Sequence, residues 1–232
     1  MINDRTLSIS YNPGQTADFP LYDEYIDGTK RPTDKIIFIA ITSYVRVIMD
    51  PASERKHALF LLGKAVVPLI ESIDARIIPA EGMMFVHAIR GARDADDVAG
   101  FQGGIVSRDG IVIPPGPAVF RSGEAGSRVI LTAMKFDPSI RSAAIIRFTP
   151  LILTALESAF LECCSFDRIR EPEGTNTMDW GVASCCREGV PDVIYDRGTP
   201  AKKGLVRLLG EEPDDVANNI IILSKRILDM DI

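Results

Sequence analysis

The chain has 232 residues, 46% of them hydrophobic and 25% charged, which is ordinary globular usage and is incompatible with long-range disorder. Its net charge of −6 opposes a nucleic-acid-binding surface spread over the whole molecule. The first twenty residues are polar and acidic with no apolar signal-like core, and no stretch approaches 18 uninterrupted apolar residues, so the expectation is a cytoplasmic protein without a membrane span.

Residues 1–34 are rich in Asp, Tyr, Pro and Gly and read as an irregular arm. Ile36 to Met49 is apolar and β-branched; it reads as a buried strand, although its length also suits a helix. Together, residues 1–54 form an arm and an added element expected to pack on the main domain, 55–232. Ser53 is a candidate N-cap for a helix from Glu54 to Ile73, with Ala58, Leu62, Ala65, Val66, Leu69 and Ile73 on one face and a kink at Pro68. Met83 to Ile89 reads as a buried strand. Gly104 to Ser107 and Ile111 to Ile113 read as a hairpin turning at Arg108, Asp109 and Gly110.

A helix follows over Glu124 to Met134, then a strand over Ala143 to Phe148. Thr149-Pro150 starts the next helix, an N-cap followed by Pro at the first helical position, expected to reach Glu162. Cys164 to Phe166, Val190 to Tyr195 and Leu205 to Leu209 read as strands. Met178 to Arg187 reads as a short helix, and Pro213 opens a last helix to Leu228. There is no internal repeat and no low-complexity tract. Strands alternating with helices from Met83 onwards indicate a layered α/β domain.

The four cysteines form two adjacent pairs, Cys163–Cys164 and Cys185–Cys186. Neither has metal-ligand spacing, so they read as small buried residues in a reducing compartment, with a redox role as the minor alternative. His57 and His87 lie far apart, and no histidine-built metal centre is expected. The chemistry-bearing groups collect beside Gly or Pro at strand ends, where α/β sheets bind ligands. They are Lys135 and Asp137, Arg147, Asp167 and Arg168, and then Tyr195, Asp196 and Arg197. Arginine offers a forked donor suited to phosphate. Surface salt bridges that close turns give the same pattern. The Gly-rich run 100–104 lacks a phosphate-loop pattern.

Read in order, VILTAMKFDPSIRSAAIIRF (129–148), CSFDR (164–168), EGTNTMDWG (173–181), VPDVIYDRG (190–198) and LVRLLGEEPDDV (205–216) resemble one family. It is the ThiN-type thiamine-phosphate synthase domain of archaea, and the resemblance covers Arg55 to Leu228. It implies a three-layer α/β/α fold with a large mixed sheet, similar to class II aldolases. It also implies the joining of hydroxymethylpyrimidine diphosphate to thiazole phosphate with loss of pyrophosphate. On that basis Lys135, Arg147 and Arg168 are candidates for phosphates, with Arg197 and Lys202 as further ligand-binding candidates. Asp137, Asp167 and Asp196 are candidates for the aminopyrimidine or a magnesium ion, should the protein be active, and Trp180 and Tyr195 for ring stacking. The ligands implied are thiamine phosphate or its two precursors, with no direct nucleic-acid partner, no membrane, no tightly held cofactor, and a homodimer left open.

Two departures stand out. Where the family has an Arg in a Gly-Arg-Ile-Val string, this chain has Gly104. Where it has a His in a Ser-Ser-His string, this chain has Ala125. The reading is therefore a binder of thiamine phosphate or its precursors that has lost catalytic groups. The alternative is an active synthase in which Arg108, Arg121 or Arg128 has taken over.

Overall fold

A computed structural model describes residues 5–12, 15–21, 25–26, 29–30, 51–174 and 176–230. The chain divides between Asp50 and Pro51 into two compact units. In the first, strands β1 (Arg5–Asn12) and β2 (Gln15–Leu21) pair antiparallel, as do β3 (Tyr25–Ile26) and β4 (Thr29–Lys30). These hairpins replace the expected irregular arm. The signal overlooked was short: Leu7, Ile9 and Tyr11 alternate with Ser8 and Ser10, and Asn12-Pro13-Gly14 is a turn tripeptide. The expected element over Ile36 to Met49 lies outside the described residues.

The second unit opens with helix α1 (Pro51–Ser72), which runs on through Pro68. Ser53 therefore lies inside the first turn and is not its cap. Ala58, Leu62, Ala65, Val66, Leu69 and Ile73 are all buried, as their spacing requires. A fully buried leucine contributes roughly 1.5–3 kcal/mol, so Leu62 and Leu69 alone anchor this helix.

The next elements are β5 (Met84–Ala88), β6 (Val98–Phe101), β7 (Val106–Arg108), β8 (Ile111–Ile113) and β9 (Ala118–Phe120). Arg108 pairs with Ile111, so the β7–β8 turn is the two residues Asp109 and Gly110, at φ of 51° and 78°. That left-handed pair is what a tight hairpin asks of an Asp-Gly sequence. Then come α2 (Glu124–Ala133), β10 (Ser142–Arg147) and α3 (Pro150–Glu157). Thr149 caps α3, accepting from the Ile152 amide at 3.1 Å. The helix stops five residues short of Glu162. The order is completed by β11 (Cys163–Ser165), α4 (Thr177–Cys185), β12 (Val193–Thr199), β13 (Lys202–Gly210) and α5 (Pro213–Met230).

Seven strands form one sheet in the order β11-β12-β13-β10-β5-β6-β9. Among the described residues of this sheet, only β11 and β12 run parallel; every other pair is antiparallel. Alternation sorts the side chains. Ala144, Ile146, Val206 and Leu208 face α1, α3 and α5, while Ala143, Ile145, Ile194 and Leu209 face α2 and α4. The result is three layers, helices on sheet on helices. The sequence reading missed β6 and β9, which are short and flanked by glycine and proline.

Candidate active site

Because β5 and β13 run antiparallel to β10, and β12 antiparallel to β13, one end of the sheet gathers the last residues of β10, β11 and β12 and the first residues of β5 and β13. The N-termini of α2 and α4 open at that end too. Between them lies a cleft of about 730 Å³. Its apolar floor is Met84, Ile145 and Leu205, with Ala125 of α2 and Met178 of α4 beside them. Arg168, Lys202 and Lys203 supply cations, and Glu81 and Glu171 supply carboxylates. Glu171 is already engaged, accepting from the Thr177 hydroxyl at 2.6 Å. Asn176 caps α4, accepting from the Met178 amide at 2.9 Å, and so turns the positive end of the helix toward the cleft. A smaller cavity of about 110 Å³ adjoins, sharing Glu81 and Met84 and lined also by Gly104, Ser122 and Gly123.

Beneath the cleft lies a buried ionic triad. Asp196 and Arg207 are both 0% exposed, and the Arg168 side chain is 8% exposed. Arg168 pairs with Asp196, Nη2 donating to Oδ2 at 3.1 Å and Nε lying 2.7 Å from Oδ1 as an ion pair without hydrogen-bond alignment. Arg207 Nη1 donates to Oδ2 at 3.0 Å, and the Gly198 amide donates to Oδ1 at 2.9 Å. The Arg207 guanidinium also lies 5.1 Å from the centre of the Phe166 ring and 3.4 Å from the Met178 sulfur. Burial pulls the Arg207 guanidinium below its ordinary pKa, and the Asp196 carboxylate pulls it back up in part. Two guanidiniums share one carboxylate, so the triad carries one surplus positive charge. Arg168 brings that charge to the cleft wall.

Of the ten candidates from sequence, Arg168 and Lys202 line this cleft. Asp196 sits one layer below, spoken for by three donors. Arg147 ends β10, and its buried Nε has no hydrogen-bond partner. Asp167 accepts from the Ile169 amide at 2.9 Å and caps a short turn. Tyr195 is on the opposite face, stacked on Phe148 with centroids 5.7 Å apart, and Arg197 lies 6.0 Å from the same ring. Trp180 meets Phe166 edge-on and lines a shallower depression with Arg128 and Asp179. Lys135 and Asp137 lie past the C-terminus of α2, at the far end of the sheet. There Ser139 donates to Asp137 from its amide and hydroxyl, holding that carboxyl below the usual range. The strand-end candidates Lys135, Asp137, Arg147, Asp167, Arg168, Tyr195 and Asp196 are therefore not gathered into one pocket. Within a strand successive side chains point to opposite faces, so the mid-strand run Tyr195-Asp196-Arg197 cannot all meet one ligand, whereas Lys202 and Lys203 stand at the turn that opens β13 and both line the cleft.

Sequence reasoning missed Glu81, Lys203, Glu171 and Arg207. Only Arg207 carried a signal, since an arginine inside the apolar run LVRLLG must find a buried partner. Arg121 is paired with Asp96, and Arg128 with Glu124 and Asp179, which leaves neither free for the cleft. Among the described residues no group of three or more His, Cys, Asp or Glu is placed to hold a metal. With Glu171 occupied, the donor set does not fit a magnesium ion held by the protein alone.

The cysteines depart from expectation. Cys164 of β11 and Cys185 of α4 are joined in a disulfide, their Cα atoms 5.8 Å apart. Cys163 is exposed, and Cys186 is buried with its thiol pushed up to about 11. The bridge closes a loop that carries Arg168, Glu171 and the first turn of α4, that is, one whole wall of the cleft.

The fold and cleft define a three-layer α/β domain with a cleft at one end of a mixed sheet. Residues 62–222 match the family model described as thiamine-phosphate synthase ThiN. The chain belongs to the ThiN family. It is 32% identical over 206 residues to the bifunctional thiamine biosynthesis protein ThiDN of Methanocaldococcus jannaschii, covering 88% of this chain and 49% of that protein. It is 33% identical over 107 residues to thiamine-phosphate synthase ThiN of Methanothermobacter thermautotrophicus, covering 43% of this chain and 56% of that one. The chain thus spans about half the length of the curated relatives it matches. A solved C-terminal domain of phosphomethylpyrimidine kinase superposes with a TM-score of 0.67 at 29% identity, covering 73% of this chain and 100% of that one. Among the described residues no helix is long and apolar enough to cross a membrane.

Proposed function

We propose that the cleft binds thiamine monophosphate or one of its two precursors, hydroxymethylpyrimidine diphosphate and thiazole phosphate, and that the chain joins the precursors slowly or not at all. The observation that carries this reading is the surplus positive charge of Arg168, Lys202 and Lys203 set around an apolar floor. Cations hold phosphate oxygens through charge-assisted hydrogen bonds, and the floor suits a flat ring. In the condensation, the bond from the pyrimidine methylene to the diphosphate breaks and pyrophosphate leaves with the electron pair. The thiazole nitrogen then bonds to the methylene. Rate depends on groups matched to the departing charge, whereas binding sums many contacts. Ala125 faces the cleft with a methyl where the resemblance places a histidine, and Gly104 adjoins it where the resemblance places an arginine. Losing one such preorganised group commonly costs on the order of a hundredfold in rate.

A second reading has one observation in its favour. Lys203 joins Lys202 in the cleft, and the pair offers replacement charge for a leaving diphosphate. Incubating the protein with both precursors and magnesium, and measuring thiamine monophosphate formed, separates the two. The expected result is tight binding of thiamine monophosphate by calorimetry with turnover far below one per second, and a gain for Ala125→His. Turnover of about one per second, an ordinary enzyme rate, establishes the second reading instead. Absence of binding by the product and by both precursors overturns both.

A further inference from the structure

We infer that Glu81 fixes the direction in which the ligand lies, by accepting from the amine-bearing ring while Lys202 and Lys203 hold the phosphate end. This rests on the reading of the cleft as a thiamine-phosphate site. The argument is one of register and charge. β5 and β13 flank β10 on opposite sides, and both start at the cleft end. Met84 pairs with Ile145, and Leu205 pairs with Arg147. Glu81 stands three residues before Met84, and Lys203 two before Leu205. Counted along the register, Glu81 and Lys203, the latter still paired with Gly198, therefore stand at nearly the same height above the end of β10. Two strand spacings separate β5 from β13, about 10 Å. A carboxylate and a pair of ammonium groups thus face one another across a floor of Met84, Ile145 and Leu205.

Glu81 and Lys203 have no ion-pair partner among the described residues, and Glu81 is exposed, so its carboxylate is available. The other cleft carboxylate, Glu171, stands on the cationic wall and is held by Thr177. Glu81 also lines the smaller adjoining cavity, about 110 Å³, which has room for an exocyclic amino group and little more. An anion is repelled from that end. A molecule with phosphate at one end and an aminopyrimidine at the other satisfies both walls in one orientation only; reversed, phosphate meets carboxylate and amine meets ammonium.

The test is calorimetric titration of the whole chain with two probes, thiamine monophosphate and inorganic pyrophosphate. Pyrophosphate has no amine and reads the cationic wall alone. Glu81→Gln keeps the shape and removes the charge. It should weaken thiamine monophosphate roughly tenfold or more, the scale of one hydrogen bond to a charged group, and leave pyrophosphate within about twofold. Lys203→Met should weaken both probes. Unchanged thiamine monophosphate affinity in Glu81→Gln overturns the assignment while leaving the parent reading intact, as does an equal loss for both probes. A wild-type chain that binds pyrophosphate but neither thiamine monophosphate nor either precursor overturns the parent reading, and the orientation with it.

Discussion

Replacing Asp196 by Asn tests the triad most directly. The change keeps the shape and deletes a negative charge that takes Arg168 on both oxygens, Arg207 at 3.0 Å and the Gly198 amide at 2.9 Å. What remains is two guanidiniums on one neutral amide, with Arg207 fully buried. Breaking a buried pair by removing one partner costs about 3–5 kcal/mol, because the remaining charge is stranded. In a unit of this size each kcal/mol moves the melting temperature by roughly 2–4 °C. Asp196→Asn should therefore melt about 6–20 °C below the wild type, followed by circular dichroism. Arg207→Met should cost far less. It leaves Asp196 paired with Arg168, and the new side chain fills an apolar site between Phe166 and Met178. Combining the two changes should recover part of the Asp196→Asn loss, since only one guanidinium is then left without a counter-charge. A shift under about 3 °C for Asp196→Asn alone, or strict additivity of the pair, refutes the view that Asp196 balances the arginines.

Three further outcomes follow from other parts of the chain. Reducing the Cys164–Cys185 bridge, which spans 21 residues, should lower stability by about 3 kcal/mol on the loop-entropy scale; identical melting with and without a thiol reductant, with the bridge verified by mass spectrometry, contradicts this. Gly104→Ala should destabilise by about 2 kcal/mol, since Gly104 has φ of 70° and a Cβ there would sit 2.8 Å from the Met83 carbonyl oxygen. Urea unfolding at the wild-type level would show that the backbone yields, and the same clash means that Gly104→Arg would strain the backbone as well as add a charge. Burial, followed by the nearby Arg141 charge, pushes His87 down to about 3 in the folded state from 6.5. The unfolded chain therefore takes up the proton first, and stability present above pH 6.5 drains away as the pH falls toward 3. At pH 4.5 the loss assigned to this group is about 2–3 kcal/mol, so His87→Gln should show a shallower decline in urea-measured stability between pH 7 and 4.5. Parallel declines would assign the acid sensitivity elsewhere.

The helices were legible because their signals are local. The spacing on α1 named its buried face, and Thr149-Pro150 named the start of α3. The end of α3 was not legible: Phe160 adopts a φ of 57°, a conformation that nothing in the run SAFLE announces. The site was legible only as a region. Arg168, in the short helical turn after β11, and Lys202, which opens β13, reach the cleft from separate segments, while Asp196, between them in the chain, turns inward to hold Arg168 and Arg207. Glu81 was not singled out, because its place across from Lys203 depends on β5 and β13 flanking the same strand, which is a property of topology and not of spacing. The disulfide was hidden for the same reason: Cys164 and Cys185 meet only once α4 folds back beside β11.

The position of β13 has a consequence for how the protein is made. β10 pairs with β13 on one side and β5 on the other, and β11 and β12 join the sheet only through β13. On the ribosome the strands from β5 to β10 emerge first and leave one long edge of β10 unpaired. The strand that covers it arrives roughly 60 residues later, on the order of several seconds of synthesis. Through that interval the edge strand Ser142–Arg147, almost wholly apolar, is an open template for the wrong neighbour. Until Gly210 is out, Arg168 and Glu81 belong to two unconnected half-sheets and no cleft exists. Nascent chains arrested before that point should thus be the ones that engage holdase chaperones, and release should coincide with the docking of β13.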